Sequence, residues 1–192
     1  MKPNYRKIVQ AITYFANSEE DKTISKLVML KLVYLADRYH MRKYGTMITN
    51  DEYWAMAYGP VASKTKNVAE RNRLLPVDVA EYAARYFTCK PDHQIEANLS
   101  PDCDELGVTE VEALDVALSV YQNNRSIVKF THKFPEWKKH ELALMAGSRC
   151  KKMPLTDFFD DCKGDYCKMS RDHVLMARDI FEEDCKINSL LQ

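Results

Sequence analysis

Between Val28 and Ala36 the chain reads VMLKLVYLA, apolar at every position but Lys31 and the hydroxyl of Tyr34. A helix that is apolar around its whole circumference belongs inside a protein, so the fold has to be built around this segment. Neither glycine nor proline occurs between Asn4 and Tyr44. The spacing predicts a central helix over Thr23–Lys43, capped by Thr23 or Asp21 and stopped by Gly45. Past Ala36 the composition turns polar and aromatic, with Asp37, Arg38, Tyr39, His40 and Tyr44, then Asp51, Tyr53, Trp54 and Tyr58. A buried helix therefore delivers tyrosines, a carboxylate and an imidazole to one region.

The rest of the chain supplies what encloses this helix. Ile8, Val9, Ile12, Phe15 and Ala16 form one helical stripe, followed by a polar connector, Asn17–Lys22. Glu52–Tyr58 reads as a short strand, Gly59-Pro60 as a turn, and Val61–Arg73 as a helix that proline opens. Val79–Cys89 is open between helix and strand. Pro91-Asp92 is a turn and Gln94–Ala97 a returning strand. Thr109 and Glu112 have capping-box spacing ahead of a stripe of Val111, Leu114, Leu118 and Tyr121. Ser126 caps a short helix through Thr131, and Pro135 starts another over Glu136–Met145. Pro154 and Thr156 open a third, with Phe158 and Phe159. Ser170 caps a last helix with a stripe of Val174, Ala177, Phe181 and Cys185. The expected fold is mainly α with a small antiparallel β element (α+β): about seven helices and one small sheet, in a single helical domain around the buried central helix.

Charge and motif content narrow the function. Lys plus Arg number 28 and Asp plus Glu 28, so there is no cation excess of the kind that general nucleic-acid binding needs. The local basic stretch from Asn123 to Arg125, with Lys133, Lys138, Lys139 and His140, reads as a solvated face. No apolar run reaches membrane-spanning length, and MKPNYRKIVQ lacks a secretion-signal core, so a cytoplasmic location with reduced thiols is expected for Cys89, Cys103, Cys150, Cys162, Cys167 and Cys185. Cys162 and Cys167, with His173 nearby, make one loosely spaced pair where structural zinc wants two, so neither metal nor cofactor is expected. Nucleophile-elbow, phosphate-loop, dinucleotide and zinc-protease motifs are absent from the sequence, and nothing in the spacing of His132, His140 and Asp157 requires them to meet. The chain reads as a binding protein and not an enzyme.

Two clusters are the candidate binding surface. Tyr34, Asp37, Tyr39, His40 and Tyr44 offer either the floor of a partner-binding patch or a structural core in which Asp37 ties down a loop. Tyr58, Gly59, Pro60 and Val61, with Lys64 and Lys66 one turn later, offer either a ledge beside a groove or an ordinary strand-to-helix turn.

The string Lys31, Leu32, Tyr34, Ala36, Asp37, Tyr39, Met41, Tyr44, Gly45, followed by Ala55, Tyr58, Gly59, Pro60 and Val61, resembles the SocA-like antitoxin family, or Panacea domain, of toxin–antitoxin systems. Relatives also occur among phage-associated proteins. The resemblance covers roughly residues 5–140 and implies an antitoxin domain over 1–145, with 146–192 as a helical extension of it. It implies a cognate protein toxin as partner, neutralised by direct contact with Tyr34, Asp37, Tyr39, His40, Tyr44, Asp51, Tyr53, Tyr58, Gly59, Pro60 and Lys64. Two alternatives stay open. One is an adaptor that hands a bound client to a protease through a second surface at Asp157–Asp165. The other is a phage or host regulator or enzyme that reuses the scaffold.

Overall fold

The computed structural model describes residues 2–124 and 126–190, Cys103 by its backbone alone; Met1, Leu191, Gln192 and Arg125 of the basic stretch lie outside the described residues. The chain opens with α1 (Tyr5–Asn17), whose first turn is capped by Asn4 Oδ1 accepting the Lys7 N–H at 3.2 Å. Its buried face is the expected stripe of Ile8, Val9, Ile12, Phe15 and Ala16. The central helix is α2 (Lys26–Tyr44), and every residue from Met29 to Arg42 is buried. Gly45 ends it in the left-handed region at φ 71°, with its N–H on Met41 O at 2.9 Å.

One difference precedes α2. Thr23 does not cap the helix but lies in β1 (Thr23–Ser25), which pairs antiparallel with β5 (Gln94–Ala97). The β-branched Thr23-Ile24 pair suits a pleated surface, and Ile24 is buried by it. Asp21 accepts the Thr23 N–H and so shapes the loop ahead of the strand. The connection to β5 runs through β2 (Tyr53–Met56), β3 (Gly59–Ala62), α3 (Ser63–Ala69), α4 (Val77–Tyr86) and β4 (Phe87–Cys89). The ambiguous stretch 79–89 thus holds both a helix and a strand.

Gly59-Pro60 is likewise strand and not turn. The reversal falls at Ala57-Tyr58, and Pro60 stands opposite Ala55 in β3. β3 is an edge strand, where the missing proline N–H removes no ladder bond.

After a 3₁₀ turn at Cys103–Glu105 come α5 (Val108–Gln122), α6 (Ile127–Thr131), α7 (Pro135–Lys138), α8 (Glu141–Met145) and β6 (Lys151–Lys152), then a 3₁₀ turn at Leu155–Phe159 and α9 (Arg171–Leu190). Among the described residues there are two three-stranded antiparallel sheets, β1-β5-β4 and β3-β2-β6, where the sequence suggested one. The capping-box pair is also reassigned. Gly107 precedes α5 and donates its N–H to Glu110 Oε2 at 2.9 Å, while Glu112 turns towards α2. The helix expected over 136–145 breaks at Lys139-His140 into α7 and α8.

Residues after 145 are built into this core. β6 pairs with β2, and Phe158 is fully buried against the rings of Tyr34 and Tyr53. Tyr166 donates its hydroxyl to Leu35 O at 2.6 Å. α9 turns Val174, Ala177 and Phe181 inward and crosses the end of α2 at Gly45. A Cβ at Gly45 would lie 2.5 Å from Ala177 O and 2.8 Å from Ile180 Cβ. Gly45→Ala is therefore expected to lose about 1–2 kcal/mol from the left-handed backbone alone, and more from displacing α9. Urea unfolding should show the loss, and limited proteolysis should cut α9 earlier than in the parent protein.

Candidate functional site

α2 carries its polar residues into the interior, and each is met by specific partners. Asp37 is fully buried. Its carboxylate accepts the N–H groups of Ile48 at 2.8 Å and Thr49 at 3.1 Å, the Thr49 hydroxyl, and the Tyr53 hydroxyl at 2.7 Å. Burial pushes its pKa up to about 6 against the pull of these donors. Asp51 does the same for the next element. It accepts from Glu52 N, Lys64 N, Thr65 N and Thr65 Oγ1 and so serves as the missing cap of α3.

A second group centres on Arg38, which has no exposed side-chain surface. Its Nε meets Glu136 Oε1 at 2.7 Å, and its two terminal nitrogens meet Asp165 at 2.9 and 2.7 Å. The Phe134 ring lies 4.3 Å from the guanidinium carbon, and Tyr34 donates to the same Glu136 oxygen. Among the described residues Lys31 is buried with no carboxylate partner. It donates to Pro60 O at 2.7 Å, and burial lowers its pKa to about 7. Gly59, at φ 97°, is held within this group: a Cβ there would come within 3.0–3.1 Å of Lys31 Nζ, Thr131 Oγ1 and His132 Cδ2.

At the C-terminal end of α2, Tyr39, Tyr44 and Lys43 all donate to Glu112, which holds that carboxyl down at about 2, mainly through Lys43. His40 is nearly enclosed. Its Nδ1–H donates to Thr46 O at 2.8 Å, its Nε2 faces Thr109 Oγ1, and its ring packs on Tyr44. This arrangement of hydroxyls, a carboxylate and an ammonium is saturated internally.

A cleft of about 370 Å³ opens beside Tyr39, Lys43 and His173, and a larger and more apolar one lies at the other end of α2. A groove of about 470 Å³ runs between the start of α2, the β2–β3 hairpin and the β4–β5 turn. Leu27, Leu30, Met56 and Val61 line it, Tyr58 stands 70% exposed at its edge, and Lys26, Lys66, Asp92 and His93 border it. Glu70 holds Lys26 and Lys66, and Glu52 holds Lys64 and Lys152.

The sequence model of the SocA-like antitoxin, Panacea domain, matches residues 29–138. The chain belongs to the SocA-like antitoxin (Panacea domain) family. No curated protein and no solved structure matches it. The matched Panacea segment holds the Asp37, Asp51 and Gly59 clusters and most of the groove, while β6 and α9 fall after it.

Against this geometry the residues singled out by sequence divide into three groups. Tyr34, Asp37, Asp51, Tyr53, Gly59 and Pro60 are interior and hold the hairpin and the 46–50 linker on α2. Tyr39, His40 and Tyr44 gather at Glu112. Tyr58 and Lys64 lie on the surface of the hairpin and α3. Helix rise separates Leu27 from Tyr44 by about 25 Å, so the last two groups are not one patch. The sequence reading passed over Lys31, Arg38, Glu136 and Asp165 as a set. A lysine inside the apolar run and an arginine just after it were the available signal, since buried cations need acceptors.

The cysteines and histidines weighed in the sequence have separate partners. Cys167 faces Arg38, Cys162 faces Lys133 O, and His173 Nε2 meets Lys43 O at 2.8 Å. No cluster that could hold a metal occurs among the described residues. His132 stacks on Trp137 at 3.9 Å, and Asp157 pairs with Lys139. The Asp157–Asp165 segment considered as an adaptor surface is folded inward through Phe158, Phe159 and Asp165. No helix among the described residues is long and apolar enough to cross a membrane.

Lys31 gives this site a pH signature. Its folded pKa of about 7 lies below the ordinary 10.5, so between these values the unfolded chain binds a proton that the folded chain lacks. Stability therefore rises with pH through that window. Urea titrations from pH 7 to 8.5, below the range in which the buried thiols titrate, should show a steeper rise in the parent protein than in Lys31→Met.

Proposed function

We propose that this protein is an antitoxin that neutralises a cognate protein toxin in the cytoplasm by direct contact, and that the toxin seats on the groove beside Tyr58. The observation that carries the reading is an apolar groove in a member of an antitoxin family, edged by a tyrosine with most of its surface free. Binding energy in protein interfaces concentrates in aromatic anchors and desolvated apolar pockets surrounded by a polar rim. Leu27, Leu30, Met56 and Val61 provide the pocket, Tyr58 the anchor, and Lys26 with Lys66 the rim. In this reading Tyr34, Asp37, Asp51, Tyr53, Gly59 and Pro60 act by fixing the hairpin. Tyr39, His40 and Tyr44 act by holding the end of α2 on Glu112 and Thr109. No catalytic step is assigned to the chain.

The test is co-expression with the reading frame next to this one in its native genome. The neighbour should be toxic alone, harmless with this protein, and recovered in complex with it. Tyr58→Ala with Leu27→Asp, both at exposed positions, should weaken the complex at least tenfold, or about 1.4 kcal/mol, with an unchanged circular-dichroism melt. A harmless neighbour and no complex would refute the antitoxin reading. Full protection by the double variant would refute the groove alone.

A further inference from the structure

α9 carries two apolar stripes. The inner one, Val174, Ala177 and Phe181, packs on the body of the protein. The outer one is Met176, Ile180, Ile187 and Leu190, exposed by 67, 49, 50 and 85%, with Ile180 at its inner edge beside Gly45. With Glu183 in the remaining place, the steps along the sequence are 4, 3, 4 and 3, the spacing of a coiled-coil seam. The stripe is about 21 Å long at 1.5 Å per residue. A surface helix ordinarily turns charged and polar residues outward. An outward apolar seam of this length is a surface waiting for another helix.

Charge selects the occupant. Asp172, Asp179, Glu183 and Asp184 are exposed in and beside the seam, against Lys186 and, at the start of the helix, Arg171. Arg178 is already engaged by Glu182 at 2.7 Å. A second copy of α9 would set carboxylates against carboxylates, and the anionic surfaces of membranes and nucleic acids would be repelled. We infer that the outer face of α9 is a second protein-binding surface whose occupant is a basic amphipathic helix of another protein, apolar at heptad spacing and flanked by lysine or arginine.

This surface is separate from the groove. Leu27 lines the groove and Gly45 carries α9, and α2 holds them about 27 Å apart at its helical rise. Both surfaces can be filled at once, and the inference stands without the antitoxin reading.

The experiment titrates the full-length protein into two labelled three-heptad peptides and follows fluorescence anisotropy. Both peptides carry leucine at the a and d positions; one has lysine and the other glutamate at e and g. The lysine peptide should bind saturably and at least tenfold more tightly than the glutamate peptide. Met176→Glu with Ile187→Glu should weaken it at least tenfold while the melting curve holds. Asp179→Lys with Glu183→Lys and Asp184→Lys should reverse the preference. Absence of saturable binding, equal affinity for both peptides, or lysine-peptide binding that ignores Met176→Glu with Ile187→Glu would overturn the inference. So would a dimer seen by light scattering that the same pair of changes dissolves, since the occupant would then be a second copy.

Discussion

Arg38 has no exposed surface, and a guanidinium keeps its charge at any physiological pH. Everything around it has to answer that charge. Glu136 comes from α7, Asp165 from the loop before α9, and the Phe134 ring covers the remaining face. Removing one partner of such a group leaves a buried ion uncompensated, at a cost of about 3–5 kcal/mol. The requirement links three segments far apart in sequence. It makes the region after residue 138 part of the same structure as the family-matched segment. Arg42 extends the link by donating to the carbonyls of Phe158 and Asp160.

Much of this architecture was legible from α2. Its unbroken apolar run required enclosure, and Gly45 marked its end. Legibility failed where a local signal and a distant partner competed. Thr109 and Glu112 have the spacing of a helix cap, yet Glu112 is drawn to two tyrosines and a lysine on α2. Gly59-Pro60 looks like a turn, yet an edge strand accepts proline, and the glycine is needed for lack of room beside Lys31 and His132. Thr23 can cap a helix or join a sheet, and β5, some seventy residues later in the chain, decides between them. Of the site, the tyrosines and carboxylates were visible by type. Which of them face outward depends on packing that no window of sequence contains. The apolar wall of the groove gave no signal of its own, because Leu27 and Leu30 read as core.

The distribution of charge shows how a chain of zero net charge can have two unlike faces. Near the groove, pairs of lysines share single carboxylates. Along α9, carboxylates outnumber lysines beside an apolar seam. A balanced total conceals this separation, and only the fold makes it visible.

Hydrogen bonds to other elements fasten the hairpin that forms one wall of the groove, the Tyr53 hydroxyl on Asp37 among them. Lys31 holds Pro60 O, Trp137 Nε1 holds Met56 O at 3.0 Å, and Asp51 ties the start of α3 just beyond β3. The opposite wall is α2 itself. The groove is therefore preorganised, and an incoming chain would meet a cleft of fixed shape with little conformational entropy left to lose. Such a surface discriminates among partners by the shape of what it receives. Differences in affinity between related partners should then appear mainly in how slowly they leave.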